Sequence, residues 1–156
     1  MQLLKIGDQV PNFSLPDHDN ELIHLSDYFN QWILIYFYPK AMTPGCTIQA
    51  CGIRDKMQEF KKFGIEIFGI STDKPEKLSR FYEKEMLNFT LLSDQDHKVA
   101  EQFGVWGKKQ FMGKHFNGIN RVSFLINKEG KIEYIFNKFK TSEHHLIVLN
   151  YMNNLC

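Results

Sequence analysis

The sequence predicts an α/β fold in which helices flank a mixed central sheet and a β-hairpin precedes that sheet. Residues 32–38 are apolar at every position, which is typical of a strand buried on both faces. Strand-like and helix-like segments alternate after this run, which implies parallel strands joined by right-handed crossovers. The composition, 43% hydrophobic and 24% charged over 156 residues, is that of a globular protein. We expect a single domain over residues 1–156.

The first elements follow from turn and helix signals. The N-terminal hairpin is predicted over residues 12–25, because short apolar stretches flank a cluster of turn-forming residues at 16–20. Pro39 ends the buried strand. A helix should then run from Pro44 to Gly64, since its apolar residues recur at helical spacing.

The alternation continues through the middle of the chain. Residues 65–71 predict the next strand. Asp73 and Glu76 form the capping-box pattern that precedes a helix. A short strand is predicted over 89–92 and a short helix over 97–103.

The last third of the chain is less regular. Residues 105–120 lose periodicity and contain three glycines, which predicts a long ordered loop. Residues 121–126 and 131–136 flank a turn sequence and predict an antiparallel hairpin, and a helix over 143–152 closes the domain. This order of elements is the layout of a thioredoxin-like fold.

Charge and hydropathy exclude several classes of function. The formal net charge is +1 and no run contains five like charges, so nothing indicates binding to nucleic acid. The longest apolar run is far shorter than the roughly 20 residues that span a bilayer, and the N-terminus lacks signal-peptide features. We expect a soluble cytoplasmic protein. The absence of an extension beyond the last predicted helix favours a monomer.

Cysteine chemistry is the most informative feature of the chain. Its three cysteines, Cys46, Cys51 and Cys156, are too few for a disulfide scaffold. Cys46 falls in the first turn of a helix that follows a parallel strand, where free N–H groups and the helix dipole favour an anion. The thiolate is the nucleophilic form of cysteine.

A helix end alone does not ionise such a thiol. Lowering the pKa of a thiol by two units requires about 2.7 kcal/mol. A helix terminus typically supplies about 0.3–1 kcal/mol, and up to ~2 kcal/mol when the group is partly buried. A cation should therefore lie close to Cys46.

The three arginines are the first candidates for this cation. Arg121 opens a strand after the predicted loop, from which its guanidinium could reach the site. Arg54 lies two turns beyond Cys46 on the same helix face and is a candidate second cation. Arg80 is interpreted as part of a solvated helix face. Exposed lysines usually confer solubility, so we leave four of them out of the catalytic set: Lys40, Lys108, Lys109 and Lys114.

These residues together carry a resemblance to a known family. Pro39, Thr43 and Cys46 have the spacing P-x-x-x-T-x-x-C, and Arg121 follows on a later strand. This pattern resembles the active site of the peroxiredoxins, and the similarity extends over residues 6–149. The resemblance implies a thiol peroxidase that uses no metal or prosthetic group.

The resemblance also implies a role for each matching residue. Cys46 would attack a peroxide oxygen and become a sulfenic acid. Thr43 would orient the peroxide, and Pro39 would shield the site from water. Arg121 would stabilise the thiolate and the charge on the leaving oxygen. The implied substrates are hydrogen peroxide and organic hydroperoxides, which would be reduced to water and alcohols.

Cys51, five residues after Cys46, is similar to the second cysteine of the bacterioferritin comigratory protein, or Q-type, branch. The resemblance implies that Cys51 condenses with the sulfenic acid to form an intramolecular disulfide, which thioredoxin then reduces. Residues i and i+5 of an ideal helix have Cα atoms roughly 8.6 Å apart, whereas a disulfide needs about 4.4–6.8 Å. We therefore expect oxidation to unwind the first turns of the helix.

Three other interpretations are weaker. The cysteine spacing is at the edge of what zinc sites use, but no two of the six histidines lie three to five residues apart. A disulfide exchanger would carry a C-x-x-C motif, which the chain lacks. A binding module would need an exposed apolar patch, which the sequence does not indicate.

Two points stay open. Cys156, the final residue, is expected to be a spectator thiol, with a resolving or intermolecular role as the alternative. The aromatic residues of the predicted loop either form an apolar collar around the substrate or pack in the ordinary way: Trp106, Phe111 and Phe116.

Overall fold

Strands and helices alternate along residues 2–155, the part of the chain that this computed structural model describes. The strands in chain order are β1 (Ser14–Pro16), β2 (Leu22–His24), β3 (Trp32–Phe37), β4 (Ile65–Ser71), β5 (Thr90–Ser93), β6 (Trp106–Phe111), β7 (Lys114–Ile119), β8 (Ser123–Ile126) and β9 (Ile132–Phe136). The α-helices are α1 (Pro44–Asp55), α2 (Met57–Lys62), α3 (Pro75–Lys84), α4 (Lys98–Phe103) and α5 (His144–Leu155), and a 3-10 helix spans Leu25–Tyr28.

A five-stranded mixed sheet forms the centre of the fold, with strand order β5-β4-β3-β8-β9. Strands β3, β4 and β5 are parallel, whereas β8 and β9 join antiparallel. All residues of β3 except the first are buried, as its apolar sequence predicts. Strands β1 and β2 form an antiparallel hairpin ahead of the sheet. The predicted α/β fold of thioredoxin-like layout, with its N-terminal hairpin, is confirmed.

Each face of the sheet carries its own apolar core. Successive side chains of β3 point to opposite faces, so Leu34 joins one cluster and Ile35 the other. The Leu34 cluster includes Ile53 of α1 and Val148 of α5, and the Ile35 cluster includes Phe103 of α4. Burial of each such side chain contributes about 1.5–3 kcal/mol, so α1 is held firmly along its apolar face. None of the helices in the described residues is long and apolar enough to span a membrane.

Residues 105–120 do not form the long loop that the sequence predicts. Strands β6 and β7 pair antiparallel across a turn at Met112 and Gly113, which have φ angles of 53° and 78°. Two successive positive φ angles are typical of the tight turns that match the twist of a hairpin. Four of the six β7 residues are exposed. The strands therefore lack the apolar alternation by which a half-buried strand is recognised.

Two boundary predictions are also wrong. The helix predicted from Pro44 to Gly64 is two helices, α1 and α2, separated at Lys56. The predicted capping box is absent, because α3 has Lys74 as its N-cap and no side chain caps it. The carboxylate of Asp73 accepts hydrogen bonds from other residues instead of capping the helix.

Asp73 connects two loops at the end of the sheet. Its Oδ2 accepts hydrogen bonds from the Ala41 amide at 2.7 Å and from the Ser71 hydroxyl at 2.9 Å. The segment between β4 and α3 thereby holds the segment between β3 and α1. This second segment leads directly to Cys46.

His144, at the start of α5, is a fully buried histidine of the core. Its Nε2 is 2.7 Å from the Ser123 hydroxyl, and in residues 2–155 its Nδ1 meets no hydrogen-bond partner. Burial is the main reason that the pKa of His144 is lowered to about 3, and the charges of His145 and Arg121 add to this effect. The folded protein therefore holds His144 neutral.

Acidification is expected to destabilise the fold through this residue. Unfolding exposes His144 and restores its ordinary pKa of 6.5, so the unfolded chain binds the extra proton. The contribution of neutral His144 to the free energy of unfolding is complete above pH 6.5 and is lost as the pH falls towards 3. At pH 5 the free energy of unfolding is lower by about 2 kcal/mol.

Urea unfolding of the parent and of His144→Gln at about pH 7.5 and pH 5 measures this effect. Glutamine is uncharged at both values, so the variant should lose about 2 kcal/mol less than the parent on acidification. Equal losses in the two proteins would contradict the assignment. Burial also lowers the pKa of His145. Both proteins contain His145, so its effect cancels in the difference between their losses of stability.

Candidate active site

Cys46 lies in the first turn of α1, just beyond the carboxyl end of β3. Thr43 is the N-cap residue and Pro44 is the first helical residue. The backbone amide of Thr47 donates to the Thr43 carbonyl at 2.9 Å. The amides of Gly45 and Cys46 precede this bond and have no partner within the helix. The site therefore presents two N–H donors and the positive end of the helix dipole to the sulfur and its surroundings.

Buried side chains of the core form one wall of the site. The Cys46 side chain is 2% exposed and belongs to the same core cluster as Tyr36 and Tyr38, whose side chains are also buried. Burial raises the pKa of both tyrosines well above its ordinary value, so both are neutral phenols. Because little water reaches the sulfur, hydrogen bonds and charges act on it more strongly than they would at the surface.

Arg121 supplies the cation that the sequence analysis requires. Its Nη1 is 3.5 Å from the Sγ of Cys46 and donates to Oε1 of Gln49 at 2.7 Å. Gln49 is fully buried one turn after Cys46, on the same side of α1. Its amide oxygen fixes the guanidinium beside the sulfur, where the cation would stabilise a thiolate.

The register of the central sheet explains how Arg121 reaches the site. Ser123, the first residue of β8, pairs with Tyr36 near the end of β3, and the Phe37 amide donates to the Val122 carbonyl at 2.9 Å. Because β8 runs antiparallel to β3, the residues just before β8 lie at the edge where β3 ends. Arg121 therefore meets Cys46 although 75 residues separate them in the chain.

Thr43 and Pro39 lie in the segment between β3 and α1. The Thr43 hydroxyl donates to the Lys40 carbonyl at 2.7 Å instead of capping the helix. Its proton is engaged in this bond, so its lone pairs are free to accept a hydrogen bond from a hydroperoxide. Pro39 is half-buried and, as a proline, carries no N–H donor.

Cys51 lies on the same uninterrupted helix as Cys46, and both are free thiols. Its thiol donates a hydrogen bond to Oε1 of Glu85 at 3.5 Å. Burial is the main cause that raises the pKa of Cys51, with Arg54 opposing it and Glu85 adding to it. Cys51 is therefore a protonated thiol near neutral pH.

Arg54 faces Cys51 and not Cys46. Its Nη1 donates to the Glu85 carbonyl at 2.5 Å, and its Nε pairs with Oδ1 of Asp55 at 2.9 Å. Eight residues of helix advance about 12 Å along the axis, which separates Arg54 from the first turn. The expected second cation for Cys46 is therefore not Arg54. Arg80 is exposed on α3, as predicted.

Two further residues lie near the predicted ones: Gln49, which was not predicted, and Lys109, which the sequence led us to leave out. Gln49 follows Cys46 at helical spacing, and this spacing was the available signal. Lys109 of β6 is half-buried, and its Nζ donates to the Ile119 carbonyl at 2.7 Å. Burial is the main cause that lowers the pKa of Lys109; the charge of Arg121 lowers it further, whereas Cys46 raises it. Lys109 was left out on the expectation that it is exposed, and the structure shows it half-buried.

The aromatic residues of this hairpin are engaged differently. Trp106 stacks on His97, with ring centroids 4.0 Å apart and ring planes 2° from parallel. Trp106 therefore packs in the ordinary way. Phe116, in contrast, is 48% exposed. The Phe111 side chain and Cys156 lie outside the described part of the chain, so the predictions for them stay predictions.

Known proteins are similar to this chain in sequence and in fold. The pattern of the AhpC/TSA family matches residues 6–135. The chain is 66% identical over 152 residues to peroxiredoxin Bcp of Escherichia coli strain K12, with 97% of each chain covered. The crystal structure of peroxidoxin BcpB from Mycobacterium tuberculosis superposes with a TM-score of 0.87 at 35% identity, over 98% of this chain and 99% of that one. The bacterioferritin comigratory protein of Xanthomonas campestris, described for its alkyl peroxide reduction activity, superposes with a TM-score of 0.86 at 31% identity, over 92% and 91%.

Proposed function

The chain belongs to the AhpC/TSA family of peroxiredoxins, and from this premise we propose that it reduces hydrogen peroxide and organic hydroperoxides through Cys46. Peroxiredoxins are thiol-dependent peroxidases, so a peroxide and a thiol reductant are its substrates. The observation that carries the assignment to Cys46 is the 3.5 Å contact between its sulfur and Nη1 of Arg121, at a helix N-terminus. The alkyl peroxide activity of the Xanthomonas protein supports organic hydroperoxides as substrates.

In the first step the Cys46 thiolate attacks the terminal oxygen of the peroxide. An S–O bond forms, the O–O bond breaks, and Cys46 becomes a sulfenic acid. The alkoxide or hydroxide that leaves takes a proton from water and becomes an alcohol or water. Arg121 and the free amides of the first turn stabilise the charge that develops on the leaving oxygen. Thr43 accepts a hydrogen bond from the peroxide hydroxyl and aligns it.

In the second step the sulfenic acid condenses with Cys51. The Cys51 thiol loses its proton, an S–S bond forms, and the hydroxyl of the sulfenic acid leaves as water. Two residues five apart on an intact helix are too far apart for this bond. The first turn of α1 must therefore unwind, which also carries the sulfenic acid out of its buried position.

In the third step a dithiol protein such as thioredoxin reduces the disulfide. One of its thiolates attacks a sulfur of the exposed disulfide, its second thiol resolves the mixed disulfide, and both cysteines regain their protons. A cytoplasmic location would supply such a reductant. We further propose that residues 1–156 act as one domain and as a monomer, because the proposed disulfide joins two cysteines of one helix and needs no partner subunit.

The disulfide between Cys46 and Cys51 is the product that tests this reaction scheme. Peroxide treatment of the Cys156→Ser variant is expected to link Cys46 to Cys51. Both cysteines fall in the tryptic peptide 41–54, so the linked peptide should lack two hydrogens and resist alkylation when analysed by mass spectrometry. The Cys51→Ser/Cys156→Ser protein is the control and should instead carry oxygen on Cys46. Recovery of an alkylated Cys51 beside an oxidised Cys46 in the Cys156→Ser protein would refute the resolving role.

A further inference from the structure

A cluster of charged groups surrounds Cys51 at the far end of α1 and takes no part in the attack on peroxide. The Cys51 thiol donates to the Glu85 carboxylate, and Arg54 donates to the Glu85 backbone carbonyl. Glu85 is the C-cap residue of α3, so this single residue binds the side chains of both Cys51 and Arg54 on α1.

A third contact attaches the same part of α1. The Asn88 side-chain amide donates to the backbone carbonyl of Arg54 at 3.2 Å. These hydrogen bonds join the last turns of α1 to the segment that follows α3. The first turn, in contrast, is attached through Arg121, which bonds Cys46 and Gln49. Oxidation of Cys46 replaces the thiolate in this contact, so the two ends of α1 differ in how firmly they are held once peroxide has reacted.

We propose that Glu85 is a positioning residue for the second step, holding Cys51 in place as a protonated thiol until Cys46 has been oxidised and the first turn of α1 has unwound. This inference rests on the proposed function, because it takes Cys51 to be the thiol that resolves the sulfenic acid. The carboxylate acts through Cys51 and touches neither peroxide nor Cys46 in this scheme.

The contact has two chemical consequences. A protonated Cys51 does not compete with Cys46 for peroxide, since only the thiolate is an effective nucleophile. The same hydrogen bond slows the condensation, because the Cys51 proton must leave before the S–S bond forms. A sulfenic acid that waits longer is more often oxidised by a second peroxide to sulfinic acid. Glu85 therefore sets the peroxide concentration at which the enzyme becomes over-oxidised.

The charged and titratable groups that face Cys51 come from three elements. Arg54 and Asp55 are on its own helix, Glu85 follows α3, and the buried Tyr36 is on β3. Burial raises the pKa of Cys51 most strongly, and Glu85 raises it further through both its hydrogen bond and its charge, whereas Arg54 lowers it. Glutamine at position 85 keeps the size of the side chain but removes the charge. We therefore expect the pKa of Cys51 to fall in Glu85→Gln.

The titration of Cys51 tests this contact directly. In a Cys46→Ser/Cys156→Ser protein, Cys51 is the only thiol, and its iodoacetamide alkylation rate can be followed from about pH 6 to pH 10. Adding Glu85→Gln should move the titration to lower pH and raise the rate near pH 7.5 by about 3- to 10-fold, since one pKa unit is tenfold in thiolate. Glu83→Gln is the matched control, because Glu83 is exposed near the end of α3, and should leave the titration unchanged. An unshifted titration in Glu85→Gln would overturn the inference.

The condensation rate tests the consequence for the reaction. The Cys156→Ser protein, with and without Glu85→Gln, is mixed rapidly with peroxide. The Glu85→Gln protein should form the sulfenic acid at the same rate as the Cys156→Ser parent, and its sulfenic acid should condense with Cys51 faster. It should need more peroxide before sulfinic acid is detected by mass spectrometry. Slower condensation would overturn the inference, since it would make Glu85 the base that removes the Cys51 proton. Glu85→Asp keeps the charge but shortens the side chain, and should give a smaller acceleration. A parent that forms no disulfide would instead refute the proposed function, while the titration would still report on the contact.

Discussion

Replacement of Cys46 by serine is expected to abolish peroxide reduction, whereas replacement of Cys51 should preserve the first turnover and remove those that follow. A serine hydroxyl at position 46 has the same helix terminus and the same guanidinium beside it, but it does not ionise near neutral pH and is a poor nucleophile towards peroxide. The second-order rate constant should fall by roughly 10⁴-fold or more, as it does when other enzymes lose their nucleophile.

The two variants separate the chemical steps. Cys51→Ser/Cys156→Ser should consume about one equivalent of hydrogen peroxide at the parent rate and stop, because the sulfenic acid has no cysteine of the chain to condense with. Stopped-flow mixing measures the first turnover, and NADPH oxidation coupled through thioredoxin and thioredoxin reductase measures the later ones. Parent-like peroxide consumption by Cys46→Ser would refute the nucleophile. Sustained turnover by Cys51→Ser/Cys156→Ser would refute the resolving role of Cys51.

Replacement of Arg121 by methionine is expected to slow the oxidation of Cys46 by about 10²–10³-fold. Methionine fills much of the same space but removes the charge that lies 3.5 Å from the sulfur in a buried site. It also leaves Oε1 of the fully buried Gln49 without its donor. An unsatisfied buried acceptor costs about 1–3 kcal/mol, so the variant should unfold at a lower urea concentration than the parent.

Graded variants show that charge and geometry both contribute. Arg121→Lys keeps the charge but loses the planar fork that bonds two partners at once, so its rate should be intermediate. Lys109→Met should slow the reaction by at most about tenfold, because its ammonium already bonds the Ile119 carbonyl. Lys108→Met, an exposed neighbour, is the control and should be neutral. Each rate is measured by stopped flow in protein shown to be folded by circular dichroism. A parent-like rate in Arg121→Met would exclude a catalytic role for the guanidinium.

Local sequence patterns predicted the parts of the fold that are formed by consecutive residues. The uniformly apolar run that became β3 indicated a strand covered on both faces. Pro44 and Gly45 indicated a helix start, which placed Cys46 in the first turn of α1 before any contact was known. The β6–β7 hairpin escaped prediction because β7 is largely exposed and both strands carry lysines and glycines where a half-buried strand would alternate.

The sequence by itself determined that a cysteine would lie at a helix N-terminus with a threonine and a proline ahead of it, because helix starts and buried strands are encoded within about a dozen adjacent residues. Only the tertiary structure decided which cation serves Cys46. Arg121 faces Cys46 because β8 pairs antiparallel with β3, whereas Arg54 lies three residues after Cys51 on α1 and donates to the Glu85 carbonyl. The pairing of Arg121 with Cys46 joins segments that are distant in the chain, and it depends on sheet register, which leaves no periodic pattern in the sequence.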